Sequence, residues 1–257
     1  MAAGVRADVF AVTQFLLLTV TFVTTYFVST SLDHVPQIFP YISDTGNNSP
    51  ERCIFSILLA VYSLLTLICV YCRWKIVVNQ TICTRVTSRI NNAGLFFGVA
   101  AAVGVLIVGS FQEGSVLIVH LIGAGMAFFL GVVYMWLHSV LSHRLPAIKG
   151  SSTCLVFLRW NLTILATASG ISFPVLAGIF EFYKDDPLQD VKMSDFRLSA
   201  ASIEWGLAGF VTIYFLTFVA EFRHVRIGMP VIHTSKASSG FSAQNGNVPL
   251  EVRSEKM

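Results

Sequence analysis

Four ionisable side chains lie inside long apolar stretches of the sequence, where a charge is costly. They are His120, His138, Arg159 and Glu204. Ionisable groups at membrane depth usually face the interior of a helix bundle and mark a functional site. An imidazole beside a carboxylate can form a pair that titrates in a mildly acidic range, because histidine changes its charge there. The same two groups can also supply the acid and base of a transfer reaction.

His120 and Glu204 are the best placed for such a pair. Each lies about one helical turn inside the end of an apolar run, at a rise of about 1.5 Å per residue, so the two share a depth. We predict either a pH-sensing pair or, as the simpler interpretation, a hydrogen-bonded structural histidine and a glutamate in interfacial water. Polar residues that mark helix ends at the same level complete the predicted cluster: Glu51, Arg52, Gln112 and Glu113.

The other ionisable residues indicate packing or anchoring. Arg159 precedes Trp160 near the end of an apolar run, which predicts a cation that reaches the headgroups beside an interfacial aromatic ring. Contact between Arg159 and a phosphoinositide is the alternative. His138 and His143 are five residues apart, which does not place two ligands on one helical face, so we predict no metal site.

Known catalytic patterns are missing from the sequence. It contains no nucleophile elbow, zinc-protease motif or phosphate-binding loop, so we predict no catalytic residue, no cofactor and no enzymatic activity. A membrane lipid transferase that uses His120 and Glu204 is kept as an alternative, since catalysis inside a membrane needs only a few converging polar groups.

Six long apolar runs must position these side chains. Of the 257 residues, 54% are hydrophobic and only 12% are charged, which is too little charge to cover a surface that faces water. Each run approaches the roughly 20 residues that cross the hydrocarbon core as a helix. The sequence therefore predicts an all-α polytopic membrane protein, a six-transmembrane-helix bundle within residues 1–228. The predicted spans are 10–29, 54–71, 93–111, 116–139, 154–180 and 200–222.

The distribution of Lys and Arg predicts the orientation of this bundle. Cytosolic loops retain positive charge during insertion, and an even number of helices puts both termini on one side. That side carries twelve of the seventeen Lys and Arg residues, so both termini are predicted in the cytosol. The polar tail 229–257 is predicted to be disordered and available to cytosolic partners of unknown identity. The net charge of only +3 makes nucleic acid an unsuitable partner.

Local patterns predict one modification and two packing features. Asn47 is the N-x-[ST] match that this topology leaves in the lumen, so it is the predicted glycosylation site. Pro174 predicts a kink in the fifth helix. Small residues at helical spacing predict that the third and fourth helices pack closely within one chain. They are Gly94, Gly98 and Ala102 in the third helix and Gly123, Ala127 and Gly131 in the fourth.

The segment between the first two helices carries a distinctive string. It consists of Phe39, Pro40, Tyr41, Ile42, Ser43, Asp44, Thr45 and Gly46. Asp44 to Gly46 is typical of a turn in which the glycine supplies a positive φ. Ser49 and Pro50 then predict the N-cap and first residue of the second helix.

This string resembles the hallmark of the damage-regulated autophagy modulator (DRAM) proteins, within the wider FRAG/DRAM/SFK family of six-helix membrane proteins. Further residues are similar to that family's pattern: Pro50 to Phe55, Phe111, Gln112, His120, Gly123, Ala124, Tyr134, Glu204 and Trp205. The resemblance implies a non-enzymatic regulator of autophagy in the lysosomal or endolysosomal membrane. It also implies one alternative, a plasma-membrane scaffold that influences phosphoinositide metabolism and lipid asymmetry. The polar residues themselves leave a further alternative, a lipid-handling protein or transferase with a lumenal His/Glu cluster. The lipid bilayer is the expected partner, with a specific lipid as a candidate ligand.

Overall fold

The computed structural model describes residues 4–81, 84–183 and 190–228, and only the backbone of 190–194. Six helices in these ranges are long and apolar enough to cross a membrane, which confirms the predicted all-α six-span bundle. They are α1 (Asp8–Ser31), α2 (Glu51–Val78), α3 (Arg85–Ser110), α4 (Leu117–Arg144), α5 (Thr153–Tyr183) and α6 (Asp190–Leu216); a short helix α7 (Val219–Phe222) continues the sixth.

The helices extend beyond the apolar runs that revealed them. Helix α2 continues to Val78, and α3 begins at Arg85, well before the predicted start at residue 93. An apolar run marks the hydrocarbon core, whereas the backbone hydrogen bonds of a helix continue into the headgroup region. Polar residues that seemed to lie in loops are therefore helical and can face the bundle.

The two described ends of the chain are joined by a short antiparallel pair, which the all-α prediction did not include. Strand β1 (Val5–Arg6) pairs with β2 (Arg226–Ile227), and the N–H of Ala7 donates to the carbonyl of Val225 at 3.0 Å. We call the end of the bundle that holds this pair the terminal face. The opposite end, which holds residues 39–46, is called the motif face.

Helices α3 and α4 pack closely, as the small residues predicted. A Cβ added to Gly104 would lie 2.5 Å from the amide nitrogen of Ala127, and one added to Gly123 would lie 2.6 Å from Cγ2 of Ile107. Real Cβ atoms are not found at such distances, so glycine allows the two backbones to approach. This contact lies within one chain.

Two of the predicted glycines have a different role. A Cβ on Gly94 would lie 2.6 Å from Nε2 of His138, and one on Gly98 would lie 2.8 Å from the ring of Tyr134. They make room for bulky side chains of α4. A Cβ on Gly131 would contact nothing within 4 Å, so close packing does not explain that glycine.

Helices α4 and α5 each contain one irregular position. Helix α4 has a π-helical turn at Met126–Leu130 between its α-helical segments Leu117–Gly125 and Gly131–Arg144. Helix α5 continues through Pro174, whose nitrogen cannot donate a hydrogen bond. Both irregular positions border one groove, described below.

Candidate functional site at the motif face

The string at residues 39–46 caps the helices at the motif face. The N–H of Ile42 donates to Oε2 of Glu204 at 2.9 Å, and Nε1 of Trp205 donates to the carbonyl of Pro40 at 2.9 Å. Ile42 is itself buried in an apolar cluster with residues of α1 and α2 such as Leu18. Two consecutive residues of α6 therefore hold the string by its backbone.

The turn at Asp44–Gly46 is a 3₁₀ turn. Thr45 is fully buried, and its Oγ1 donates to the carbonyl of Ile42 at 2.7 Å and lies 3.1 Å from Oγ1 of Thr25. Gly46 does not have the positive φ expected from the sequence. A Cβ there would lie 2.6 Å from the ring of Phe55, so glycine is needed because of this close approach.

The start of α2 differs from the prediction. The helix begins at Glu51, its N-cap position is Pro50, and no side chain caps it, so Ser49 is not the N-cap. The carbonyl of Asn48 accepts from the N–H of Arg52 at 2.8 Å. A backbone carbonyl thus satisfies an amide group that a serine cap would otherwise have served.

Two acidic residues of the predicted cluster are paired with separate partners. Glu51 is buried and contacts Nδ1 of His34, which lies in the loop after α1. Glu113 accepts a hydrogen bond from Oγ of Ser43 in the string. Each contact fastens a loop to the motif face, and the two do not converge on one point.

The amide and the cation of the predicted cluster also lie apart. Gln112 donates through Nε2 to Oγ of Ser56 at 3.2 Å, which links the end of α3 to α2. Arg52 is exposed. Five of the six predicted residues therefore form local contacts between elements, and of the six only His120 and Glu204 line a common cavity.

His120 and Glu204 have different neighbours within that cavity. Nδ1 of His120 lies 2.7 Å from the carbonyl oxygen of Phe111; a carbonyl can only accept, so Nδ1 carries the proton. No hydrogen bond joins the two side chains among the described residues. Glu204 is only 5% exposed because Ile42 and its neighbours cover it, so the expectation of a glutamate in interfacial water is wrong.

The loop above this cavity contains a carboxyl group that titrates unusually high. Burial raises the pKa of Asp44 to about 6; the nearby Glu113 carboxylate adds to the rise, and Arg197 opposes it. Burial likewise raises the pKa of Tyr41 to about 12. The motif face therefore exchanges a proton in a mildly acidic range.

Asn47 lies beside this carboxyl group and links two loops. Its Oδ1 accepts from the N–H of Gly114 at 3.0 Å, and its Nδ2 donates to Oδ1 of Asp44 at 3.4 Å. Its side chain is half-buried. Glycosylation of Asn47 stays a prediction.

A second polar cluster lies inside the bundle near the terminal face. Arg159 is fully buried, and its guanidinium donates to both carboxylate oxygens of Glu221 at 3.0 Å. Arg73, also fully buried, donates to Oε2 of the same carboxylate at 2.8 Å. One carboxylate thus pairs with two guanidinium groups, from α2 and α5, and the three side chains together keep a charge of +1.

Uncharged neighbours complete this cluster. Oγ of Ser142 accepts from Arg73 at 3.1 Å and from Arg159 at 2.8 Å. The ring of Phe218 lies 5.1 Å and 4.7 Å from the two guanidinium carbons, in cation–π geometry. Among the described residues, Nε of Arg73 has no hydrogen-bond partner.

The prediction that Arg159 reaches the headgroups is therefore wrong, and so is its alternative contact with a phosphoinositide. Burial of an arginine inside a bundle requires an anion, and Glu221 supplies it from 62 residues away in the sequence. One feature of the sequence could have indicated this cluster: Arg73, Arg159 and Glu221 lie at a shared depth, near the ends of three helices. Their pairing across the bundle could not be read from spacing.

Comparison with known proteins gives consistent matches over the bundle. The family described as "Frag1/DRAM/Sfk1/Cwh43P N-terminal domain" matches residues 7–225. The chain is 34% identical over 223 residues to DNA damage-regulated autophagy modulator protein 1 of Homo sapiens, covering 84% of this chain and 92% of the relative. It is 30% identical to DNA damage-regulated autophagy modulator protein 2 of Mus musculus, covering 80% of each chain. It is 32% identical to modulator of macroautophagy TMEM150B of Danio rerio, covering 77% of each. No solved structure matches the chain.

Proposed function

The chain belongs to the Frag1/DRAM/Sfk1/Cwh43P family, and from this premise we propose that it is a multi-pass regulator of autophagy in the lysosomal or endolysosomal membrane, without enzymatic activity. The observation that carries the proposal is the similarity to proteins named autophagy modulators, over 223 residues in the human relative. The family match begins before α1 and ends after α7. The shared part is therefore the bundle with its motif face.

Two observations support the orientation that we propose. The β1–β2 pair brings both described ends of the chain to the terminal face, and the loops on that side carry most of the Lys and Arg residues. Positive loops stay in the cytosol, so the terminal face is cytosolic and the motif face is lumenal. The lumenal side then contains Asn47, and Asp44 with a pKa of about 6 faces an acidic compartment.

A role without catalysis is supported by what the buried polar groups do. Glu204 holds the string through the N–H of Ile42, and Glu221 holds two arginines. These groups connect elements of the bundle. Such an arrangement suits a protein that acts by binding partners or lipids.

Imaging tests the location. The endogenous protein carrying a small tag after the last residue should coincide with lysosomal markers in fed and starved cells. A pool found only at the cell surface would contradict the proposal and would favour the plasma-membrane scaffold.

Rescue of a knockout tests the function. Degradation of a cytosolic autophagy reporter, with and without a lysosomal inhibitor, should fall in the knockout and recover with the wild-type chain. Ser43→Ala, which removes the bond to Glu113, should rescue less well. Ser202→Ala is the matched control, because Ser202 is exposed and bonds only within α6. An unchanged reporter in the knockout would refute the autophagy proposal.

A further inference from the structure

A cavity of about 90 Å³ lies inside the motif half of the bundle. Most of its wall is apolar, with Leu18, Phe55 and Val105 contributed by three different helices. Glu204 and His120 are the acidic and the basic residue of its lining, which also includes Tyr62 and Thr212. A mostly apolar cavity with a few converging polar groups is the usual form of a small-molecule site.

The polar atoms left open in this cavity are hydrogen-bond acceptors. Oε2 of Glu204 is occupied by the N–H of Ile42, which leaves Oε1 without a partner among the described residues. Nδ1 of His120 donates to a backbone carbonyl, and in that tautomer Nε2 is left as an acceptor. A molecule that satisfies both atoms must donate hydrogen bonds.

An anionic head group would find no cation in this cavity. Of the described residues that line it, none is Lys or Arg. Burial of a phosphate or carboxylate without a cation is costly, whereas a hydroxyl or an amine can donate to Oε1 of Glu204.

A groove between α4 and α5 lies beside this cavity. Its volume is about 370 Å³, and it shares Ala124 and Phe128 with the cavity wall. The π-helical turn of α4 and Pro174 of α5 border it. Phe129 and Ile171 on its lining are 70% and 64% exposed, so the groove opens towards the hydrocarbon of the membrane.

The two volumes differ in what they can hold. A dry cavity of about 150 Å³ binds one benzene molecule, so the inner cavity holds a small head with its first carbons. The groove holds an extended apolar chain and offers it no charged group. A chain could pass between them only beside Ala124 and Phe128, which both volumes share.

We propose that the inner cavity and the lateral groove together bind a single-chain lipid whose small head donates hydrogen bonds through a hydroxyl or amino group. The head contacts Oε1 of Glu204 and Nε2 of His120, and the chain lies in the groove between α4 and α5. This proposal does not depend on the autophagy proposal, because binding is measured on the purified protein.

Photolabelling of the full chain in lipid nanodiscs tests it. The probes are a long-chain primary alcohol, a long-chain primary amine, a fatty acid and a lysophosphatidic acid, each with a photoreactive group in its chain. The alcohol or the amine should label peptides of α4 and α5, and the two anionic probes should not. If only the amine labels the protein, binding requires a charged head group. If the alcohol labels it as well, hydrogen bonding by the head group is sufficient for binding.

Two variants and one control locate the label. Glu204→Gln keeps the shape but turns an N–H towards the cavity, so it should lower labelling by the donor probes about tenfold, the effect of one charge-assisted hydrogen bond. Ala124→Phe should fill the space that the two volumes share and lower labelling by both donor probes. Val23→Phe changes a separate groove on α1 and should leave labelling unchanged, which controls for lipid that merely surrounds the protein.

Three results of these experiments would overturn the proposal. Fatty acid that labels as strongly as the amine would contradict the electrostatic argument. Donor labelling that is unchanged in Glu204→Gln, or absent in the wild type, would refute the site. If Ala124→Phe proves unfolded by its melting curve, the isosteric Glu204→Gln still decides, and autophagic flux remains a separate measurement.

Discussion

Glu221 is the shared anion of two buried arginines, so removal of Glu221 should destabilise the protein much more than removal of either arginine. Glu221→Gln leaves the guanidinium groups of Arg73 and Arg159 in the bundle without their shared anion. Removing one partner of a buried ion pair costs about 3–5 kcal/mol. At about 2–4 °C per kcal/mol for a chain of this size, the melting temperature should fall by about 6–20 °C.

Arg73→Met should have a much smaller effect. It leaves Arg159 with both oxygens of Glu221, a neutral pair with two hydrogen bonds. It also removes an Nε atom that has no partner among the described residues. Replacing part of a buried ionic network by an apolar side chain is often nearly neutral, so the change should stay within about 1 kcal/mol.

Arg159→Met should lie between these two variants. Arg159 bonds not only to Glu221 but also to Ser142 and to the hydroxyl and carbonyl of Thr217, and these contacts are lost together. The pair formed by Arg73 and Glu221 persists, so the net charge of the cluster falls to zero.

Thermal unfolding of purified variants in one detergent, followed by tryptophan fluorescence at neutral pH, gives the order. Arg6→Ala is the control at the same face, because the Arg6 side chain is half-exposed and its bond to Asp8 is screened by water. Its melting temperature should match that of the wild type. Arg73→Met as damaging as Glu221→Gln would refute the argument from charge balance.

Three further predictions concern the motif half. Gly104→Val should destabilise the bundle by about 1–3 kcal/mol through overpacking, because its Cβ would lie 2.5 Å from the amide nitrogen of Ala127. The control Gly125→Ala should leave the stability unchanged, because a Cβ at Gly125 contacts nothing within 4 Å. Equal melting temperatures for these two variants would count against the packing. Burial raises the pKa of Asp44 from 3.8 to about 6, so the folded protein binds this proton more tightly than the unfolded chain does. The melting temperature should therefore rise as the pH falls from about 6 towards 3.8, and Asp44→Asn should remove this rise. The same dependence of melting temperature on pH in the wild type and in Asp44→Asn would contradict the prediction. Asn47→Gln should abolish a mobility shift on glycosidase treatment, and a wild-type chain without any shift would refute glycosylation.

The six-helix bundle could be predicted because the thickness of hydrocarbon fixes the length of each apolar run. The contact between α3 and α4 could be predicted for a similar reason, since Gly123 and Ala127 lie one turn apart on one helical face. A hydrogen-bonded structural role for His120 was the simpler interpretation, and its Nδ1 does bond to a backbone carbonyl. These features depend on local spacing, which a sequence displays directly.

The remaining features depend on partners far apart in the sequence. Glu204 bonds to a backbone N–H 162 residues away, at Ile42; periodicity says nothing of which loop covers a helix end. Arg159 was expected at the headgroups because a long cation usually reaches them, and its burial follows only from the position of Glu221. The π-helical turn of α4 has no residue signal either, since its sequence, Met126–Leu130, is ordinary apolar helix.

The strand pair that joins Val5 to Ile227 makes the chain nearly circular. The loop between α4 and α5 lies on the same face as this junction. In a circular permutant that links residue 228 to residue 4 and has its new ends between residues 145 and 152, every helix would cross the membrane in its native direction. This permutant should fold, because neither the new ends nor the new link would require a loop to move to the other side of the membrane. Spectroscopic probes attached at residues 4 and 228 would lie close enough together to report when the bundle opens.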